Sequence, residues 1–181
     1  MSCLPSQLYA IVDPTQIGGR SFDSVLEDML AGGVSVLQLR VKERPANEFL
    51  AMALSTREKT ARADCLFIVN DRVDIALAAQ ADGVHLGQGD LPLGAARHLV
   101  GDKLIGVSTH SLAQAILAEK GGADYIGFGP MFPTQTKETG YPSRGLEMLR
   151  AVRRRVNIPI VAIGGITAGN LARTRESGAD A

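Results

Sequence analysis

The sequence predicts an α/β fold, a TIM (β/α)8 barrel that stops short of its eighth strand. Short apolar or β-branched runs recur at near-equal intervals, and longer stretches of helical periodicity separate them. Strand and helix alternating in this way imply right-handed βα crossovers and a parallel sheet. Seven such units without a break in spacing favour a barrel over an open doubly wound sheet, whose spacing usually breaks where the strand order reverses. Residues 1–181 read as one domain.

The predicted strands are LYAIV (8–12), VSVLQL (34–39), CLFIV (65–69), GVHLG (83–87), LIGVS (104–108), DYIGF (124–128) and IPIVAI (158–163). All are short enough to be buried on both faces. Helical periodicity fills SFDSVLEDMLAGG, ANEFLAMALSTREKTARA, RVDIALAAQ, SLAQAILAEKGG and GLEMLRAVRRRV. Ser21, Asp71 and Ser111 stand where helix N-caps belong, each offering a side-chain oxygen to unpaired backbone N–H groups. A weak internal echo marks the step from helix to strand: Ala81-Asp82-Gly83, Gly122-Ala123-Asp124 and, at the end of the chain, Gly178-Ala179-Asp180, with glycine suited to the left-handed turn there. An eighth strand is expected to begin at that last cue, and the sequence reads as truncated before it.

Composition excludes several classes. With 19 basic and 19 acidic side chains the net charge is zero, so no global field draws the chain to nucleic acid or an anionic membrane. Any anion must be held by a local site. Two cysteines, Cys3 and Cys65, make no disulfide framework, and the N-terminus has no signal-like apolar core, so a reduced cytoplasmic setting is expected. The partners expected are small-molecule substrates, and a homo-oligomer is left open.

In a parallel barrel the chemistry sits where strands run out into their βα loops. Strand two ends in Gln38-Leu39-Arg40-Val41-Lys42, and alternation sends Gln38, Arg40 and Lys42 to one side, two cations and an amide suited to a polyanion. Strand three ends in Asn70-Asp71, where Asp71 is fully explained as a helix cap. Strand four leads to Asp90, and the two aspartates on adjacent loops also make a candidate magnesium site that would take further ligands from water and phosphate. His85, inside strand four, reads as a packed or hydrogen-bonded histidine. Strand five ends in Ser108, a candidate phosphate donor, and His110, ambiguous between a surface loop and proton transfer. Strand six opens GFGPMFPTQTK (127–137), in which glycines allow close backbone approach, prolines stiffen the exit, and Thr134, Thr136 and Lys137 offer hydroxyls and a charge. Strand seven ends in Gly164-Gly165, whose backbone N–H groups near a helix start suit an anion.

These motifs, YAIVD (9–13), GGVSVLQLRVK (32–42), FIVNDRVDIALAAQADGVHLGQGDL (67–91), GVSTHS (106–111), GADYIGFGPMFPTQTK (122–137) and PIVAIGGIT (159–167), occur in one order, and in that set the chain resembles the thiamine phosphate synthases. The resemblance implies condensation of hydroxymethylpyrimidine diphosphate with hydroxyethylthiazole phosphate to thiamine phosphate and pyrophosphate, with Mg²⁺ as cofactor. It implies a pyrimidine diphosphate site at Gln38, Leu39, Arg40, Val41, Lys42, Asn70, Ser108 and Lys137, and magnesium at Asp71 and Asp90. Thr134, Gln135, Thr136, Gly164 and Gly165 would hold the thiazole phosphate, in a pocket that the family's last strand completes. Arg40, Lys42, Lys137 and Ser108 count as the catalytic groups, because departure of pyrophosphate needs its charge neutralised more than it needs a general base. Two other readings compete: a related thiazole tautomerase using a histidine such as His110, and a non-catalytic binder of thiamine precursors.

Overall fold

The structure is a computed structural model and describes residues 4–5, 7–134 and 142–181. Its strands are β1 (Ala10–Val12), β2 (Val36–Leu39), β3 (Leu66–Asn70), β4 (Gly83–Leu86), β5 (Leu104–Thr109), β6 (Tyr125–Phe128) and β7 (Ile160–Ala162). Among the described residues seven helices alternate with them: α1 (Phe22–Ala31), α2 (Ala46–Arg62), α3 (Val73–Ala78), α4 (Leu93–Val100), α5 (Leu112–Lys120), α6 (Gly145–Arg153) and α7 (Ala168–Glu176). The strands pair in sequence order and all run parallel, as the TIM-type prediction requires. Helices α4 and α7 are elements that periodicity did not single out.

Strand alternation sorts the side chains into two layers. Leu37, Leu39, Phe67, Val69, Ile126 and Phe128 enter the large core shared with the helices. Val36, Ile68, Tyr125 and Val161 point the other way and form a small interior cluster with Leu4. Burying each of these large apolar side chains is worth about 1.5–3 kcal/mol, so a one-residue slip in any strand would expose a whole row.

Two of the three expected caps form. Ser21 accepts from the Ser24 amide at 3.1 Å and Ser111 from the Gln114 amide at 3.2 Å. Asp71 does not cap α3: Arg72 occupies the N-cap position without a side-chain cap bond, while Asp71 itself sits at φ 63° in the left-handed region. That backbone state turns its carboxylate away from the helix and back over the strand ends.

The alanine–aspartate echo has a physical meaning. Asp82 accepts from the Phe67 amide and pairs with Arg57; Asp124 accepts from the Ile105 amide and pairs with Arg97; Asp180 accepts from the Ile160 amide and pairs with Arg153. Each aspartate thus ties the start of the preceding strand to the helix before its own, and the motif recurs every second βα unit. Gly122 and Gly178 have the expected positive φ, but in the first copy Gln80 takes it, and Gly83 lies in β4 where a Cβ would overlap the Leu104 carbonyl. Asp180 and Ala181 donate to the Ile160 carbonyl, and Ala162 donates to the Ala181 carbonyl at 2.8 Å. The chain therefore begins a strand pairing beside β7, at the place the echo predicts.

Candidate active site

Residues at the ends and exits of β1, β2, β5, β6 and β7, with Ile17 and Arg20 of the loop after β1 and Val25 and Met29 of α1, line a cavity of about 640 Å³. One wall is β1 and its exit, with Ile11 and Asp13; the facing wall is Ile163, Gly164 and Gly165 after β7; Arg40, Ser108, His110 and Thr134 complete it. It collects hydrogen-bond donors of the kind an anion needs: a guanidinium, hydroxyls and glycine backbone.

Arg40 enters the cavity because the alternation that buries Leu39 and Val41 turns it inward. Leu39 is wholly buried and Val41 nearly so, both in the helix-facing core, so any ligand contact from these two is through backbone. Asp13 forms an ion pair with Arg40 and also accepts from the Thr15 amide at 2.9 Å and the Thr15 hydroxyl at 2.7 Å. Burial pushes the Asp13 carboxyl upward, but the two Thr15 bonds and the guanidinium outweigh it and hold its pKa below the usual carboxylate range. Asp13 keeps its charge and so holds one edge of Arg40 in place. Sequence reasoning assigned Asp13 no role; alternation applied to YAIVD, which turns Tyr9, Ile11 and Asp13 to one side, is the signal that could have found it.

A second cluster gathers after the ends of β2, β3 and β4. Lys42 forms an ion pair with Asp71, and the Asp71 side chain hydrogen-bonds to Asp90, whose carboxylate also accepts from the Gly87 amide at 2.6 Å. Burial and then the bond to Asp71 raise the Asp90 pKa, against the Gly87 N–H and Lys42. Two carboxylates brought this close share a proton or a cation. Among the described residues no group of three or more His, Cys, Asp or Glu side chains gathers to hold a metal. A cation at Asp71 and Asp90 would thus draw its other ligands from water or substrate, as Mg²⁺ ordinarily does.

Asn70 is buried at the end of β3, in register with His85. His85 packs as expected, between Tyr125 and Ser108. The ring of His110 is anchored by a 2.6 Å hydrogen bond between Nδ1 and the Gly129 carbonyl, which makes Nδ1 the donor. Glycines in the β6 exit make room for protein rather than ligand: a Cβ at Gly127 would stand 3.1 Å from the His85 ring, and one at Gly129 would overlap the Ile163 carbonyl. The exits of β6 and β7 are joined by bonds from Met131 to Ile163 and from Phe132 to Gly164. Gly164 and Gly165, at φ 93° and 67°, border the cavity four and three residues ahead of α7, whose own start is closed by a Thr167–Asn170 capping box. Gln135, Thr136 and Lys137, together with Cys3, lie outside the described residues. Cys65 is buried, its thiol pushed up to about 11 by burial and then Asp82, which leaves it unreactive.

The family described as thiamine monophosphate synthase matches residues 8–181. The chain belongs to that family. It is 48% identical over 174 residues to the thiamine-phosphate synthase of Chloroflexus aurantiacus, covering 96% of this chain and 81% of that one. With the thiamine-phosphate synthase of Methanospirillum hungatei it is 49% identical, covering 96% and 84%. Thiamine phosphate pyrophosphorylase from Pyrococcus furiosus superposes with a TM-score of 0.87 at 38% identity, covering 96% of this chain and 83% of that one. An N-acetylmannosamine-6-phosphate 2-epimerase from Clostridium perfringens, at 14% identity and TM-score 0.66, shares the fold alone. Among the described residues no helix is long and apolar enough to cross a membrane.

Proposed function

We propose that this chain is a cytoplasmic thiamine phosphate synthase: a Mg²⁺-dependent transferase that joins hydroxymethylpyrimidine diphosphate to hydroxyethylthiazole phosphate and releases pyrophosphate. The observation that carries the reading is that a member of this family has, at its strand exits, both a donor-lined cavity and a Lys42–Asp71–Asp90 cluster. In the reaction the bond between the pyrimidine methylene and the diphosphate oxygen breaks, its electron pair leaving with pyrophosphate. The thiazole nitrogen then donates its lone pair to the methylene carbon.

The residues suit that chemistry. Arg40, oriented by Asp13, offers N–H donors to the departing diphosphate, and Lys42 adds a point charge nearby. Ser108 gives a hydroxyl from β5, while Thr134 and the Gly164–Gly165 backbone, which line the same cavity, would take a second phosphate. Asp71 and Asp90 would hold Mg²⁺, which when bound supplies charge neutralisation to the leaving group. Two phosphate sites at one cavity bring the reactants into register, which lowers the entropic part of the barrier.

Pyrophosphate release measured with both substrates and Mg²⁺ tests the proposal. Release that requires all three is expected. His110 at the cavity favours a second reading, thiazole tautomerisation; isomerisation of the thiazole without condensation would establish it in place of the first, and binding without turnover would reduce the chain to a precursor binder.

A further inference from the structure

Two guanidiniums line the cavity, Arg40 at the exit of β2 and Arg20 in the loop between β1 and α1. A tight turn delivers Arg20. Its amide donates to the Ile17 carbonyl at 3.2 Å, and the two residues between, Gly18 and Gly19, stand at φ 61° and 78°. Positive φ at both central positions is what a type I′ turn requires, and glycine adopts it without strain. A Cβ at either glycine would have no heavy atom within 4 Å, so the backbone angle and not lack of room calls for glycine here.

Helix α1 then fixes the side chain. Ser24 and Asp28 lie four residues apart and so share one stripe of the helix. Arg20 Nη2 donates to the Ser24 hydroxyl at 3.1 Å and forms an ion pair with Asp28, while Val25 and Met29, each the next residue along, line the cavity itself. Arg40 is held in the same way, by Asp13 through Nη1. In both cases a carboxylate engages one amino group, and among the described residues no hydrogen bond occupies the remaining guanidinium nitrogens.

Charge balance gives Arg20 its task. A phosphate monoester carries a charge of about −1.5 to −2 at neutral pH. Thr134, Gly164 and Gly165, the lining groups that would take the second phosphate, are all neutral, and Arg40 is allotted to the diphosphate. The chain as a whole has no net charge, so no long-range field stands in for a local cation. We propose that Arg20, placed by Ser24 and Asp28, is the charged ligand of the thiazole substrate's phosphate. The identity of that ester rests on the function proposed above; the capacity of Arg20 to hold a phosphate does not.

Steady-state pyrophosphate release reads the assignment. Arg20→Gln should raise KM for the thiazole phosphate about tenfold, as for one hydrogen bond to a charged group, and leave kcat and the KM for the pyrimidine diphosphate within about twofold. The Arg20–Asp28 pair is exposed, so the variant should keep its melting temperature. With the unphosphorylated thiazole alcohol the variant and the unmodified protein should perform equally, because the group that Arg20 holds is gone. An unchanged KM for the thiazole phosphate, an equal rise for both substrates, or a loss that persists with the alcohol each overturns the proposal. If the unmodified protein condenses nothing, the function proposed above fails, and calorimetry with inorganic phosphate, with pyrophosphate present to fill the diphosphate site, decides this one. Binding about tenfold weaker in Arg20→Gln upholds it, whereas equal binding, or none in the unmodified protein, overturns it.

Discussion

The two ends of the barrel use the same residue types to different effect. At the end where strands begin, Asp82, Asp124 and Asp180 each face one arginine and one backbone N–H, so every charge is answered within the protein. At the other end Asp71 pairs with Lys42 and bonds to Asp90, which also accepts from the Gly87 amide, and Arg40 shares the cavity with hydroxyls and glycine backbone. The first arrangement ties strands to helices and asks nothing of a ligand. The second sets two carboxylates side by side, and under the function proposed above a bound cation would complete it.

Substitutions at either end separate the two roles. Arg40→Ala should reduce pyrophosphate release by 100-fold or more, the order of about 3 kcal/mol of transition-state stabilisation for a group aimed at developing charge. Its melting temperature should move little, because Asp13 keeps its Thr15 bonds. A collapse of the fold in Arg40→Ala would erase the distinction. At the opposite end the ranking inverts: Asp124→Ala leaves the Ile105 amide without its carboxylate and Arg97 without its partner, at a cost of about 2 kcal/mol in chemical denaturation. Activity per folded molecule should be unchanged in that variant.

What the sequence showed depended on whether a feature is local. Strand and helix order, the Ser21 and Ser111 caps, the turning of Gln38 and Arg40 away from the helix-facing core, and the aspartate echo are all properties of short stretches, and each appears in the fold. The Asp13–Arg40 pair and the hydrogen-bonded Tyr9–Tyr125–His85 row join residues on different strands, so they exist only once the register is known. Asp71 shows the same limit from the other side. Its type and place suited a cap, but its left-handed backbone hands the cap position to Arg72 and frees the carboxylate for Lys42 and Asp90.

Titration sharpens the contrast within the site end itself. The Asp13 pKa is lowered in the folded protein, so its contribution to stability is present above the ordinary carboxylate value of about 3.9 and is lost as pH falls through the lowered one. The stability difference between the unmodified protein and Asp13→Asn should be flat from neutral pH to about pH 5 and should shrink only in stronger acid. A difference that already declines near neutral pH would show that Asp13 is not the charged partner of Arg40.

Asp90 has the opposite sign and the smallest expected effect. Its pKa is raised, so the folded state holds that proton to higher pH than the unfolded chain, and stability falls as pH rises through the window between the ordinary and raised values. Above that window Asp90 carries its charge beside the Asp71 side chain, and a divalent cation bound there would offset it. Adding Mg²⁺ at tenfold over its dissociation constant should therefore stabilise the protein by about 1.4 kcal/mol, seen as a rise of a few degrees in melting temperature. The rise should grow with pH through the window and vanish in Asp90→Asn. An equal rise in that variant would place the cation elsewhere, and the pair would then be a structural contact after all, like the aspartates at the far end of the barrel.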